Sequence, residues 1–150
     1  MQRMNNSTIY QQRRVELAKL ICAKTSGGIA IITTAPETAR NRDSEFPYRH
    51  DSDFFYLTGF EEPGATLVLK IAGSTSQAQL ESHLFCRPKD AEREIWDGWR
   101  LGPEAAPSQL GVDQAFAQNE LDNVMPDFLA DSIASLLKLE VVIKTPFLAT

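Results

Sequence analysis

Apolar and polar positions along the chain follow two different periods, and the change from one to the other marks the elements. Between Thr8 and Lys24, Tyr10, Leu17, Leu20 and Ile21 recur near the helical repeat, and Thr8 with Gln11 has capping-box spacing, so the pattern predicts a helix ended by Gly27 and Gly28. Ile29 to Thr34 is instead a continuous apolar run rich in β-branched residues. That is the pattern of a strand covered on both faces, which requires helices on each side of its sheet. The polar run from Ala35 to His50, with Pro36, Asn41, Asp43, Ser44 and Pro47, predicts a loop longer than most connections.

Asp51 to Gly59 predicts a short helix capped by Asp51 or Ser52 and closed by Gly59, although its aromatic residues also suit a strand. Ala65 to Ala72 and Leu80 to Cys86 read as two paired strands joined through Gly73 to Gln79. Asp90 to Trp96 and Pro103 to Gln109 read as short helices that stop at Gly98 and Gly111. Val112 to Ala117 is a short strand, Asn119 to Lys138 a helix broken or restarted around Pro126, and Leu139 to Thr145 a final strand. The alternation predicts one α/β domain of three layers, a mixed β-sheet with flanking helices, without internal repeats. Phe147 to Thr150 follow the last strand with no element left to close the fold, so the chain reads as one domain of a longer protein.

Composition narrows the function classes. With 150 residues, 43% hydrophobic and 23% charged, the chain is an ordinary globular domain. Its net charge of −5 argues against nucleic acid as a partner, and no apolar run approaches the roughly 20 residues that cross a bilayer. Two cysteines, Cys22 and Cys86, make no disulfide framework, which suits a cytoplasmic setting. Arg3, Arg13 and Arg14 precede the first acid, Glu16, a pattern shared with mitochondrial presequences, so a mitochondrial setting stays open.

Catalytic chemistry is sparse. His50 with Asp51 and Asp53, and His83 with Cys86, are the candidate metal-ligand groups, but a strand through Leu80 to Cys86 points His83 and Cys86 to opposite faces. Cys86 then reads as a small core residue, His83 as a surface one, and Asp51 as a helix cap. Cys22 shares a helix face with Leu17 and Ile21 and reads as a buried small hydrophobe. Nucleophile elbows, zincin motifs and phosphate loops do not occur. Three features exceed a plain scaffold. Arg40, Arg42 and Arg49 flank Asp43, Glu45, Asp51 and Asp53, which suggests an ion-pair network in the long loop. Six of the thirteen aromatic residues fall between Phe46 and Phe60, more than one buried face requires. Trp96 and Trp99, with Arg100 following, combine indole and guanidinium groups as binding hot spots do.

Asn41 to Ala65, including Phe46-Pro47-Tyr48-Arg49-His50-Asp51-Ser52-Asp53-Phe54-Phe55-Tyr56-Leu57-Thr58-Gly59-Phe60, resembles the N-terminal domain of Xaa-Pro aminopeptidases (aminopeptidase P). A second block, Phe85-Cys86-Arg87-Pro88-Lys89-Asp90 followed by Glu94-Ile95-Trp96-Asp97-Gly98-Trp99-Arg100-Leu101-Gly102-Pro103-Glu104, resembles the same family, and the likeness runs from about Arg13 to Val142. The resemblance implies a ribonuclease-H-like mixed sheet. It also implies that catalysis belongs to a C-terminal pita-bread domain, absent from this chain, where two Mn²⁺ ions activate a water to cut the bond before a proline in second position. On that reading this chain alone is inactive, and its partners are the catalytic domain, neighbouring subunits of a homo-oligomer and the peptide substrate.

The tryptophan at the position of Trp96 is similar to one that reaches toward a neighbouring active site, and Arg100 matches a basic position beside it. Trp99 departs from the family, which commonly has arginine there. Arg49, Asp53 and Tyr56 of the first block complete the expected gating or interface residues. Related N-terminal domains precede prolidase and creatinase catalytic domains, but Phe46-Pro47-Tyr48-Arg49 and Glu94-Ile95-Trp96 favour the aminopeptidase branch. A reading from a different class is a stand-alone interaction module that retains the fold without peptidase activity.

Overall fold

A computed structural model describes residues 6–42, 44–135 and 141–144. Helix α1 (Asn6–Thr25) leads into strand β1 (Gly27–Thr33), and after the long loop comes α2 (Ser52–Thr58). Strands β2 (Thr66–Ser74) and β3 (Gln77–Cys86) form a hairpin, followed by α3 (Ala91–Asp97), α4 (Ala106–Leu110) and β4 (Gln114–Ala117). A 3-10 turn (Gln118–Glu120) opens onto α5 (Leu121–Ser135), and β5 (Val141–Lys144) closes the described fold.

Among the described residues the strands form one five-stranded sheet in the order β4-β3-β2-β1-β5. The meander β1-β2-β3 is antiparallel, while β4 joins β3 and β5 joins β1 in parallel. This antiparallel meander with a parallel strand beside its first member matches the expected ribonuclease-H-like mixed sheet.

The sheet is buried from both sides, as its first strand predicted. On one face Ala30, Ile32, Leu67, Leu69, Leu84 and Cys86 meet Ala18 and Cys22 of α1 and Phe54 and Leu57 of α2. Leu17 and Ile21 of α1 pack against the same cluster. On the other face Ile29, Val68 and Phe85 meet Phe128 of α5, with Leu121, Val124, Met125 and Leu129 packed around them. Those five α5 positions are the i, i+3, i+4, i+7, i+8 stripe of a core-facing helix.

α2 begins and ends as predicted. Asp51 accepts from the backbone N–H groups of Asp53 and Phe54 at 3.0 Å, and Gly59 ends the helix at φ 69° with its N–H on the Phe55 carbonyl at 2.8 Å. A Cβ at Gly59 would run into the Tyr10 ring, so glycine serves both the left-handed turn and the contact with α1.

Several boundaries differ from expectation. α1 begins two residues before Thr8, and the β2–β3 turn tightens to Thr75-Ser76, with Ser74 opposite Gln77. α4 covers only Ala106–Leu110 and β4 starts at Gln114. α5 runs through Pro126 without a break. An interior proline costs about 3 kcal/mol, but burying the Phe128 stripe returns about 1.5–3 kcal/mol per large side chain, so packing overrides the local penalty. The end of the predicted last helix, at Lys138, lies outside the described residues.

Candidate functional site

The second aromatic block forms a projecting arm. Asp90 caps α3 by accepting from Arg93 N–H at 3.0 Å, and the Glu94 carboxylate reaches back to the Asp90 N–H at 3.4 Å. In α3 every residue is exposed except half-buried Glu94. Ile95 is 77% exposed, Trp96 86% and, just past Gly98, Trp99 64%. Large apolar groups in that state are what a partner surface covers. Trp99 lies under the Lys89 ammonium, 4.4 Å from its ring centre, rather than beneath its own helix.

Arg100 points the other way and is buried. Its guanidinium donates to Asp97 at 2.9 Å and to the Pro88 carbonyl at 3.4 Å, so it anchors the arm's base and presents nothing to solvent. The next residue, Leu101, is buried in the core and donates its N–H to the Glu62 carboxylate at 2.7 Å. Glu62 also lies 3.6 Å from Arg87, which in turn lies 3.5 Å from Glu37. These ion pairs tie the long loop to the sheet, and neither Arg87 nor Glu62 stands out in the sequence. The loop itself closes through Phe46 N–H on the Thr38 carbonyl at 2.9 Å and a hydroxyl contact between Tyr48 and Thr34. Arg40 sits over the Phe46 ring at 5.9 Å, and Arg42 and Arg49 are exposed.

Asp53 and Tyr56 occupy α2, on the rim of an apolar groove of about 390 Å³ between α1 and β1 that Leu17, Leu20, Ile21 and Ile32 help to line. The Arg13 guanidinium stacks 4.1 Å from the Tyr56 ring centre and donates to the Tyr56 carbonyl at 3.0 Å. Of the aromatic loop, Phe46 and Tyr56 are exposed while Phe54 and Phe60 join the core. The sequence-predicted residues therefore fall into two groups, one on the tryptophan arm and one on the loop and α2.

Arg14 escaped the sequence reading. It is 1% exposed and spans two helix ends, donating to the Leu57 carbonyl of α2 at 2.8 Å and, past α4, to the Gly111 carbonyl at 2.5 Å. Unsatisfied carbonyls at helix C-termini carry partial negative charge, so a cation there both pairs them and offsets their dipoles. Burial pushes the guanidinium down to about 10, with Asp113 opposing the shift. The available signal was register: Tyr10, Arg14, Ala18 and Cys22 fall at four-residue intervals on one helix face.

His83 is buried, not on the surface. It faces away from Cys86, as strand alternation required, and packs 4.5 Å from Phe128 and 6.3 Å from Phe116, with Glu81 3.6 Å from its Nε2. Burial lowers its pKa, against a partly opposing Glu81 carboxylate. His50 stacks on Phe55 at 4.5 Å. Among the described residues no group of three or more His, Cys, Asp and Glu side chains converges to hold a metal ion. The implied manganese pair finds no ligand set there, and no chemical step is assigned to these residues.

The profile of the family described as aminopeptidase P, N-terminal domain, matches residues 10–136. The chain belongs to that family. The chain is 45% identical over 120 residues to an Xaa-Pro aminopeptidase of Escherichia coli, covering 80% of this chain and 26% of that protein. It is 33% identical over 131 residues to human Xaa-Pro aminopeptidase 3, covering 82% of this chain and 25% of the relative. A structure of zinc-substituted E. coli aminopeptidase P in complex with product superposes with a TM-score of 0.72 at 43% identity, over 83% of this chain and 27% of that one. The chain thus spans about a quarter of the length of the relatives it matches. No helix among the described residues is long and apolar enough to cross a membrane.

Proposed function

We propose that this chain acts as the non-catalytic domain of a dimanganese Xaa-Pro aminopeptidase, where it supplies oligomer contacts and narrows the entrance for peptides with proline second. The metal centre and the water it activates belong, on this proposal, to a C-terminal pita-bread domain, and the chain alone hydrolyses nothing. The observation that carries the reading is Trp96, an indole left 86% exposed at the tip of a helix that contributes nothing to its own core. Ile95 and Trp99 extend it into an apolar surface that an assembled enzyme would cover. Arg49, Asp53 and Tyr56 are proposed as contacts with the catalytic domain or a neighbouring subunit. With both cysteines free, the setting we propose is cytoplasmic, and fractionation of a tagged full-length protein tests it against mitochondria.

The test is Trp96→Ala in the enzyme that joins this domain to its catalytic domain. Peptide kinetics are expected to change while bound manganese stays the same, and unchanged kinetics would remove the gating role. In parallel, the 150-residue chain is assayed on an Xaa-Pro peptide with added Mn²⁺. Turnover that survives removal of full-length enzyme would overturn the non-catalytic assignment. A chain that binds an unrelated protein through Trp96 and leaves the catalytic domain unbound would favour the stand-alone interaction module.

A further inference from the structure

The arm that carries Trp96 is a mechanical puzzle. α3 has seven residues, far fewer than the roughly 12–15 an isolated helix needs, and buries no apolar face to compensate. What fixes its direction has to act at its ends. At the near end Asp90 caps the helix and Lys89 pairs with Glu94 at 3.6 Å. At the far end the chain passes Gly98, at φ 85°, and is caught at Arg100 and Leu101.

The Arg100 tie is local, since Asp97 and Pro88 both belong to the arm or its root. Glu62 differs. It comes from the turn before β2, 39 positions away in sequence, and its 2.7 Å bond to the Leu101 N–H joins the arm's far end to the body of the domain. Its second oxygen is buried and, among the described residues, no hydrogen-bond donor reaches it; Arg87 stands 3.6 Å away. Arg87 leads on to Glu37 in the long loop, so one carboxylate bears on both segments that rise from this end of the sheet.

We infer that Glu62 is the positioning residue of the tryptophan arm, and that it sets the angle at which Trp96 leaves the domain. The inference rests on the gating reading for its functional meaning, but its physical content stands without it. Loss of the Glu62 bond loosens the arm's far end, which Leu101 packing and the Arg100 tie still hold, while the sheet and both core faces stay as they are.

The chain supplies its own reporter, because both of its tryptophans lie on this arm. In the 150-residue chain carrying Trp99→Phe, Trp96 emission is the arm alone. Glu62→Ala is expected to lower the steady-state anisotropy of Trp96 and to reduce protection of the Leu101 amide against hydrogen exchange by about tenfold or more, the range for a bond to a charged acceptor. Glu62→Gln retains an acceptor oxygen and is expected to restore both readings to near wild type. If Glu62→Ala does not fold, Glu62→Asp is the substitute, because a carboxylate one methylene shorter falls out of reach while balancing Arg87.

A uniform fall in protection across β2 and β3, with Trp96 anisotropy unchanged, would overturn the inference and leave Glu62 a general stabiliser. Unchanged protection at Leu101 would overturn it as well. Both readings are made without the catalytic domain, so a null result for Trp96→Ala in the assembled enzyme removes the gating role and leaves this inference standing. The reverse pair of results removes this inference alone.

Discussion

Replacing Arg14 by methionine keeps most of the side chain's volume and removes its five donors. Two short hydrogen bonds disappear, to Leu57 at 2.8 Å and Gly111 at 2.5 Å; the Leu57 carbonyl at the end of α2 loses its side-chain donor, while the Gly111 carbonyl retains only the Gln11 amide at 3.0 Å. Bonds from a charged donor contribute about 1.5–3 kcal/mol each, and the sum is reduced by the relief of no longer burying a cation. The expected loss is about 3–5 kcal/mol, a large part of the roughly 5–15 kcal/mol that holds a domain of this size together.

With a urea slope of about 1–3 kcal/mol per molar, the midpoint falls by about 2 M, read by far-UV circular dichroism. Arg14→Lys should fall between, since one ammonium reaches one of the two carbonyls well. The proton linkage has a definite sign: burial lowers the folded pKa to about 10, so the unfolded chain holds this proton more tightly. Stability linked to Arg14 therefore changes only above about pH 10, and the difference between wild type and Arg14→Met stays flat from pH 6 to 9. A methionine variant within about 1 kcal/mol of wild type would show that water, not the guanidinium, satisfies those helix ends.

Two further outcomes follow from the buried titratable groups. Burial lowers the His83 pKa in the folded chain, so the unfolded chain takes up the proton first as pH falls. Stability linked to His83 is complete above the ordinary histidine range and declines on acidification through it. His83→Phe, which suits the neighbouring Phe116 and Phe128 rings, should flatten that part of the pH dependence in thermal unfolding, and an unchanged slope would assign it to other groups. Burial, helped by Glu62 and Glu104, pushes the Cys86 thiol up to about 12, and burial also raises Cys22. Native chain at pH 8 should react with a neutral maleimide at least about tenfold more slowly than urea-unfolded chain, and rapid labelling of either cysteine would contradict its place in the core.

What could be read from the sequence depended on whether the deciding interaction was local. The Asp51 cap and the Gly59 stop are three- and four-residue devices, and α2 lies where they put it. Ile29 to Thr34 announced a doubly covered strand, because burial on both faces leaves no polar position in the period. Pro126 misled for the opposite reason: the rule for proline is local, while the force that carries α5 past it is the stripe around Phe128 on a distant sheet. His83 misled similarly, since it is enclosed by Phe128 of α5 and Phe116 of β4, both distant in sequence.

The exposed tryptophans were legible as a motif because they lie outside the packing. Their supports were not. Glu62 in a Glu-Glu-Pro-Gly turn looks like solvated charge until Leu101 meets it, and Arg14 looks like helix surface until two helix ends converge on it. Long-range polar ties of this kind carry no sequence period, which is why the scaffold was easier to foresee than the device mounted on it.

The placement of β5 bears on where the domain can be cut. Residues 29–32 of β1 pair with 141–144, so the strand laid down first gains its outer neighbour from more than a hundred positions later. A fragment that stopped after α5 would leave Ile29, Ala30, Ile31 and Ile32 as a bare sheet edge, an apolar, uncharged row of open N–H and C=O groups. Such an edge is a template for strand addition from a second chain. During synthesis the same edge stays open until residues 141–144 have emerged, and the hairpin β2–β3 covers only its other side. Aggregation of this domain should therefore depend less on its average stability than on how soon, and how completely, that last short strand arrives.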